Sequence, residues 1–269
     1  MKGKKSIHIE HPEAWELLVS IGDRQVDYIL YTPSVAGSLA IGQVALTDDS
    51  LQALEDAVYD TPELLSEYKR VRVVAHSRHF VMLPIATTDA DCSLMVKDAF
   101  PEDDGDAAVC DLPQSGVKIA FLMPRGMQAF LGRTFNCPEV CHHMLPLLEH
   151  FHGLNRSNDL SRMFLYLTAS RMDMAIYRGG DLLIANSYPF TDANDAVYFA
   201  LNAWRAAGLD QLSDELQLMG DGGLRSHMTP VLREYVKFVM PAVYPAEALR
   251  LGRNAMQAPL ELILLALCE

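Results

Sequence analysis

Two stretches of this sequence repeat one design: SIGDRQVDYILY, residues Ser20–Tyr31, and YLTASRMDMAIY, residues Tyr166–Tyr177. Laid together without a gap, both have Asp at the eighth position (Asp27 and Asp173) and Tyr at the twelfth. Each runs from an apolar segment through a polar turn into a segment rich in β-branched and aromatic residues, the pattern of a strand, a turn and a strand. We therefore predict the same hairpin twice, 146 residues apart.

The order of elements after the two hairpins also repeats. A third strand is predicted in SLAIGQVAL and again in LLIANSYPF. Thr47-Asp48 and Thr191-Asp192, 144 residues apart, then precede segments with apolar residues at helical spacing and are predicted to cap helices. The polar, turn-rich stretch GLNRSNDLS separates the two halves. We predict an α/β fold with an internal duplication, comprising subdomains at residues 1–153 and 154–269.

Composition limits the classes of partner. Half of the 269 residues are hydrophobic, enough for a core in each subdomain. The formal net charge of −13 disfavours nucleic acids and anionic membrane surfaces. Five irregularly spaced cysteines argue against a secreted disulfide framework. The longest apolar run, APLELILLALC, is too short for a membrane span and contains Glu261. We predict a cytoplasmic protein without a membrane span or nucleic-acid partner.

In this order of elements, the chain resembles the actin-like ATPase superfamily, whose fold is ribonuclease H-like. That superfamily includes sugar kinases, heat-shock chaperones with an ATPase domain, and actin-like proteins of pilus assembly and type II secretion. The whole chain also resembles a domain-of-unknown-function family, known mainly from Bacteroidetes, to which an actin-like fold has been attributed. The resemblance implies two duplicated subdomains, each a mixed sheet with an antiparallel three-strand meander flanked by helices.

In working members of that superfamily, the first turn of each half is a phosphate loop with an Asp, a further residue, a Gly and small hydroxyl residues. The turn aims backbone N–H groups at phosphate oxygens, and the carboxylate holds Mg²⁺ against them. In the first half, Gly22 is in place, but Ser20 stands where the Asp is expected and Asp23 lies three residues later. This loop has therefore lost its metal-orienting carboxylate.

The second half departs further from the pattern. Tyr166 replaces the Asp and Thr168 replaces the Gly, although hydroxyls remain at Thr168 and Ser170. ELQLMGDGG resembles the superfamily's glycine pair that lets adenosine approach the backbone, although a plain tight turn also explains it. The resemblance thus implies a vestigial nucleotide site composed of Ser20, Gly22, Asp23, Thr168, Ser170, Gly220, Asp221, Gly222 and Gly223.

We interpret the chain as a pseudo-enzyme: a non-catalytic actin-like-fold scaffold or protein-interaction module with degenerate phosphate loops, a protein partner and no cofactor. One alternative is a nucleotide-binding ATPase or phosphotransferase that uses ATP and Mg²⁺ with shifted ligands. Asp23 would then act in the first half, and Asp173 or Asp221 in the second. A small-molecule binder that uses the cleft between the halves is a third class, and homo-oligomerisation stays open.

Two further clusters contain residue types that bind metals or act in hydrolases. In NCPEVCHHMLPLLEHFH, a helix predicted from Pro138 to His152 would bring Cys137 and Cys141 to one face, where His142 or His143 would complete a zinc-type set. Because no CxxC pair and no second ligand cluster accompany them, we predict no metal and interpret the cysteines as small core residues.

The second cluster, His76, Ser77 and His79, follows a strand but lacks a GxSxG nucleophile elbow. We interpret it as a polar connecting loop rather than a hydrolase site. The repeat spacing of 144 residues aligns His76 with Gly220, so this loop is predicted to correspond to the GDGG turn.

Overall fold

Thirteen strands and seven α-helices lie within residues 9–155, 160–242 and 244–267, which this computed structural model describes. The strands are β1 (Glu16–Ile21), β2 (Gln25–Tyr31), β3 (Ala40–Ala45), β4 (Arg70–Ala75), β5 (Phe80–Pro84), β6 (Asp106–Leu112), β7 (Val117–Met123), β8 (Glu139–His142), β9 (Ser161–Leu167), β10 (Arg171–Arg178), β11 (Asp181–Pro189), β12 (Glu215–Gly220) and β13 (Phe238–Pro241). The helices are α1 (Leu51–Tyr59), α2 (Asp89–Ala99), α3 (Met127–Thr134), α4 (Met144–Asn155), α5 (Ala193–Ala206), α6 (Gly222–Leu232) and α7 (Leu260–Leu267). The predicted α/β class is confirmed.

Two compact units each contain one five-stranded mixed sheet. The first unit comprises Met1–Asp111, Val117–Pro146 and Pro245–Glu269, and the second comprises Leu112–Gly116 and Leu147–Tyr244. The strand order is β3-β2-β1-β4-β8 in the first sheet and β11-β10-β9-β12-β13 in the second. In both, an antiparallel meander is extended by two parallel strands, so the predicted arrangement of each subdomain is confirmed.

The two meanders are closed by matching backbone hydrogen bonds. In the first they run from Gly22 N to Gln25 O (3.0 Å) and from Leu46 N to Arg24 O (2.8 Å). In the second they run from Thr168 N to Arg171 O (2.9 Å) and from Phe190 N to Ser170 O (3.0 Å). Asp27 pairs with Ser20 across the first hairpin, as Asp173 pairs with Tyr166 across the second. The repeated letters of the sequence therefore occupy equivalent places in the two sheets.

The first unit contains an additional small sheet. Its strand order is β5-β7-β6, and α2 packs on β5 and β7. The apolar core between them consists of Leu83, Cys92, Val96, Ala120 and Leu122. The sequence pattern does not predict α2, because its apolar positions are few and two of its longest side chains, Leu94 and Met95, face solvent.

The subdomain boundary expected at residue 153 stays a prediction, and the compact units differ from it at both ends. The second part of the first unit ends at Pro146, within α4. The segment from Pro245 onward also belongs to the first unit, because α7 packs against β1. The apolar run of the C-terminus forms this buried helix. Among the described residues, no helix is both long and apolar enough to span a bilayer.

The prediction of one helix from Pro138 to His152 was wrong. Residues Glu139–His142 form the edge strand β8, which pairs with β4 through Val140 opposite Val73. The helix begins only at Met144. A short apolar run is compatible with either a strand or a helix. The pairing partner that decides between the two lies far away in sequence.

The predicted helix caps were right in one half and wrong in the other. Asp192 caps α5 by accepting from Asn194 N at 2.7 Å, as predicted. In the first half, Ser50 rather than Thr47 or Asp48 caps α1, through a 3.2 Å bond from Ala53 N. Asp48 instead accepts a hydrogen bond from Ser50 N, so the polar run folds into a turn before the helix starts.

The tyrosine that closes the first repeated stretch belongs to a buried polar cluster. Tyr31 Oη donates to Glu16 Oε2 at 3.0 Å and accepts from Arg72 at 2.9 Å. Arg72 also pairs with Glu16 at 3.3 Å and donates to the carbonyl of Leu265 in α7 at 2.7 Å. All three side chains are nearly inaccessible to solvent. The cluster therefore connects three strands of the first sheet to the C-terminal helix.

Candidate functional site

The turn between β1 and β2 contains the first predicted phosphate loop. Gly22 and Asp23 lie in this turn, whereas Ser20 lies inside β1 and is 2% exposed. The hydroxyl of Ser20 is 2.8 Å from His76 Nε2 and donates to Glu261 Oε1 at 3.3 Å. At the position where a carboxylate was expected from the resemblance, this chain therefore has a hydroxyl that is committed to a buried junction.

The junction is not a nucleophile relay. Glu261 Oε1 lies 3.3 Å from His76 Nε2, the same ring nitrogen that Ser20 contacts. In a serine hydrolase, the acid instead orients the second ring nitrogen of the histidine. The ring of His76 also stacks on His143, with centroids 4.7 Å apart. These contacts describe a packed polar link between β1, the loop after β4, and α7.

Beside this junction, the charged side chains of the turn and of the neighbouring loop form ion pairs. Asp23 pairs with Arg78 at 2.5 Å, and both side chains are more than half exposed. His79 Nδ1 lies 2.6 Å from Asp103 Oδ2. The hydrogen bond from His79, with a further one from Gly105 N, holds the pKa of the Asp103 carboxyl below its usual range. Three of the four residues from His76 to His79 thus make side-chain contacts to acids.

These groups surround a cavity of about 340 Å³ within the first unit. Its apolar lining includes Leu46, Leu51, Leu54, Leu122, Met123 and Met127. Charged side chains of Asp23, Asp49, Arg78 and Asp103 line the same cavity. Of the predicted site residues, Gly22 and Asp23 contribute to it, together with the loop of residues 76–79, for which the sequence pattern indicates only a connector. Because β4 runs parallel to β1, the polar run after β4 had to end at the same sheet edge, and this signal could have identified it.

In the second unit, the turn between β9 and β10 is closed on itself. Thr168 donates to the carbonyl of Arg171 from both its backbone N (2.9 Å) and its hydroxyl (3.1 Å). Ser170 is exposed in the same turn. Tyr166, at the position of the expected carboxylate, is 7% exposed and lies inside β9. The hydroxyl of Thr168 therefore has a structural role in the turn.

The glycine-rich segment lies directly against this turn. Asp221 N donates to the carbonyl of Leu167 at 2.8 Å. Gly220 has φ +90°, and a Cβ on it would lie 2.0 Å from the same carbonyl oxygen. The carboxylate of Asp221 caps α6 by accepting from Leu224 N at 2.8 Å. Close packing of two strands accounts for Gly220, and helix capping accounts for Asp221.

Strand register corrects one expected correspondence. Ala75 pairs with Ile21 in the first sheet, whereas Gly220 pairs with Leu167 in the second. His76 N also donates to Ile21 O, just as Asp221 N donates to Leu167 O. His76 thus corresponds to Asp221 rather than to Gly220, because the two halves are offset by 145 residues at β4 and β12 and not by the 144 residues that separate Thr47 from Thr191.

The repeated aspartates are strand residues with local partners. Asp173 is fully buried and accepts from Arg171 Nε at 3.0 Å and from the Ser187 hydroxyl at 2.6 Å. Asp27 accepts from Gln25 Nε2 at 2.6 Å. Burial raises the pKa of the Asp27 carboxyl above its usual range, a hydrogen bond from Gln25 opposes this, and nearby Glu261 adds to it. Each aspartate thus bonds the residue two positions before it on its own strand.

The raised pKa of Asp27 predicts a pH dependence. The folded state holds this proton more tightly than the unfolded chain, so folding loses stability as pH rises from the ordinary carboxyl range through the raised folded pKa. Asp27→Asn has no carboxyl to titrate at this position, so its stability relative to the wild type is expected to rise between about pH 3 and pH 7. Urea unfolding at several pH values measures it. In Asp173→Asn, which removes the carboxylate that pairs with Arg171, we expect a loss of stability at pH 7 instead. A loss of stability in Asp27→Asn that grows with pH would contradict the account.

The Cys137/Cys141/His142/His143 cluster does not lie on one helix. Cys137 precedes β8 with φ +57° and is exposed, while Cys141 and His142 are successive residues of the strand and point to opposite faces. His142 Nε2 contacts the carbonyl of Ser77 at 3.0 Å. Within the described residues, no group of three or more His, Cys, Asp or Glu side chains is arranged to hold a metal ion.

Comparisons with known proteins agree with this architecture. A protein of unknown function with an actin-like ATPase fold from Bacteroides thetaiotaomicron is 21% identical, with a TM-score of 0.79 over 96% of this chain and 97% of that chain. A chain in the structure of the PilM–PilN type IV pilus biogenesis complex is 14% identical, with a TM-score of 0.52 over 96% of this chain and 100% of that chain. The predicted actin-like fold is confirmed.

At the sequence level, residues 4–239 match the model of a family described as "Protein of unknown function (DUF3822)". No curated protein matches the sequence. The predicted resemblance to a domain-of-unknown-function family with an actin-like fold is therefore also confirmed.

Proposed function

Because this chain belongs to the DUF3822 family, whose description names no activity, we propose from its site that it is a non-catalytic actin-like scaffold or protein-interaction module. One observation carries the proposal: Ser20 occupies the position of the metal-orienting carboxylate, and its hydroxyl is buried against His76 and Glu261. Positioning and charge stabilisation supply nearly all of phosphoryl-transfer catalysis. A chain that cannot seat Mg²⁺ on the phosphates lacks both.

The second loop supports the same proposal. Tyr166 fills the equivalent position, and the Thr168 hydroxyl is bonded to the carbonyl of Arg171. Loss of one such electrostatic group typically costs an enzyme roughly a hundredfold or more in rate. Here the group is replaced in both halves.

The shifted-ligand alternative requires carboxylates that already have partners. Asp23 is paired with Arg78, Asp173 is buried beside Arg171, and Asp221 caps α6. A metal ion would have to break one of these contacts at each position. The charges around the cavity also disfavour binding of a triphosphate. Among the described lining residues there are three carboxylates, Asp23, Asp49 and Asp103, against the single guanidinium of Arg78.

A protein partner is the class of ligand that best fits these properties. The PilM–PilN structure, one chain of which has a similar fold, is a type IV pilus biogenesis complex. The net charge of −13 argues against nucleic acid.

Four cysteines, Cys92, Cys110, Cys137 and Cys141, are free thiols, which supports the proposed cytoplasmic location.

We also propose that the two halves arose by internal duplication. The equal strand orders support this, as do the matching turn hydrogen bonds of Gly22 and Thr168. The paired positions of Asp27 and Asp173 add a third correspondence.

Calorimetric titration with ATP and Mg²⁺ tests the proposed function. We expect no saturable binding up to about 1 mM nucleotide, a level at which even a weak site of about −4 kcal/mol is half occupied. Asp23→Asn and Asp221→Asn are the matched variants. Micromolar binding that requires Mg²⁺, disappears in these variants and is accompanied by turnover of the nucleotide would contradict the proposal and favour the phosphotransferase alternative.

A further inference from the structure

The cavity beside the first loop has an apolar floor that three elements build. Its volume of about 340 Å³ lies in the range of small-molecule sites. In the floor, Leu54, Leu122, Met123 and Met127 are each no more than 4% exposed. These side chains come from α1, from the end of β7 and from α3, so the apolar interior is firmly packed.

The mouth of the cavity is polar. The exposed residues Asp23, Asp49 and Arg78 line it. Asp23 pairs with Arg78, whereas Asp49 forms no ion pair or hydrogen bond with the described residues. An apolar floor below a few charged groups is the arrangement that binds an amphipathic ligand.

The charge at the mouth is negative in either protonation state of its histidines. His76 and His79 also line the cavity, and each lies against an acid of its own, Glu261 and Asp103. With both rings protonated, these two pairs are neutral, as is the ion pair of the turn. The carboxylate of Asp49 then stays unbalanced, and with neutral rings the negative charge is larger. The cavity therefore attracts a cation.

The two helices that begin at the cavity do not reverse this preference. Ser50 caps α1 by accepting from Ala53 N at 3.2 Å, and Asp48 accepts from Ser50 N at 2.9 Å. At the start of α3, Gly126 N donates to Asp106 Oδ2 at 2.8 Å. The positive ends of both helices thus already have acceptors within the chain.

The lining also narrows the kind of cation. Among the described residues, no Phe, Tyr or Trp lines the cavity, so it lacks the aromatic faces that hold quaternary ammonium groups. A metal ion is disfavoured as well, because the described part of the chain offers no group of three ligating side chains. A primary or secondary ammonium group instead donates hydrogen bonds directly to a carboxylate.

We propose that this cavity binds a small organic amine. The apolar body of the amine packs against Leu54 and Met127, and its ammonium group pairs with Asp49. The inference goes beyond the proposed function and does not rest on it, since an amine site requires neither a nucleotide nor a protein partner.

Two sets of probes that share an apolar body and differ in the head group test the proposal. They are 2-phenylethylamine, 2-phenylethanol and phenylacetate, and hexylamine, 1-hexanol and hexanoate. The full chain is labelled with ¹³C-methyl methionine, so that NMR follows Met123 and Met127 in the cavity floor. Met123→Leu and Met127→Leu assign the two signals. Met174, buried in the second unit, is the remote reference.

We expect the amines to shift both floor signals but not that of Met174, with a Kd of about 10 mM or tighter, as is usual for ligands of this size. They should bind about fivefold more tightly than the alcohols and carboxylates. Asp49→Asn should remove that preference. Asp60→Asn, an equal charge change at the other end of α1, should preserve it. Both aspartates are exposed, so both variants are expected to fold, which circular dichroism checks.

Four results would overturn the proposal: equal binding of the three head groups, a preference for the carboxylates, no shift of the floor signals with any probe, or equal effects of the two aspartate variants. None of the probes carries a phosphate, so these results are independent of the titration with ATP. Failure of the amine site and failure of the non-catalytic assignment are therefore distinguishable.

Discussion

Replacing Gly220 by alanine is expected to destabilise the protein by about 4 kcal/mol, the sum of backbone strain and a steric clash. At φ +90° an L-residue is strained, and the new Cβ would lie 2.0 Å from the carbonyl oxygen of Leu167 and 2.8 Å from its nitrogen. Those atoms are backbone inside a paired strand, so they cannot move aside as a flexible side chain would. The midpoint of urea unfolding, followed by circular dichroism, measures the loss.

Gly180 provides the matched control in the same sheet. Its φ of +96° is nearly that of Gly220, but a Cβ there would meet no atom within 4 Å. Gly180→Ala should therefore show only the left-handed strain, about 1–2 kcal/mol. Equal losses in the two variants would mean that the close approach of Gly220 to β9 contributes nothing, and the glycine would need another explanation, such as a ligand.

Replacing Arg72 by leucine is expected to cost about 3–5 kcal/mol, because it leaves the Glu16 carboxylate buried without its cation. The contacts of Arg72 with Tyr31 and with the carbonyl of Leu265 disappear together with this ion pair. Since Leu265 belongs to α7, the variant should also loosen the C-terminal helix. Hydrogen exchange of the α7 amides measures that local effect, and urea unfolding measures the global one.

Arg70, two residues earlier on the same strand, separates burial from charge. It forms a forked pair with Glu139 at 2.8 Å, but both side chains are largely exposed. Arg70→Leu should change stability by less than about 1 kcal/mol, because exposed pairs are solvated in both states. If the two arginine variants lost similar stability, burial would not govern the Arg72 cluster.

The parts of the fold that short patterns encode could be predicted. Alternating apolar residues and turn formers within twelve positions identify each hairpin without reference to the rest of the chain. The repeated Asp27 and Asp173 then align the two halves, and the strand orders agree. Local encoding also explains the correct cap at Asp192, where the carboxylate directly precedes its helix.

What the sequence could not predict depends on distant partners. Glu261 reaches Ser20 across 241 positions, and nothing near either residue indicates the other. Glu139–His142 becomes a strand only because β4 offers it an edge. The role of the loop from His76 onward could have been inferred, since strand β4 had to end beside β1 once both were recognised as parallel neighbours.

Phosphate release from ATP tests most directly whether the eroded loops still support catalysis. With Mg²⁺ present and protein in the micromolar range, we predict no release above that of buffer over several hours. Release that is proportional to protein concentration, and that is lost in Asp23→Asn, would contradict the account. It would show that a carboxylate now paired with Arg78 can still seat the metal that Ser20 cannot.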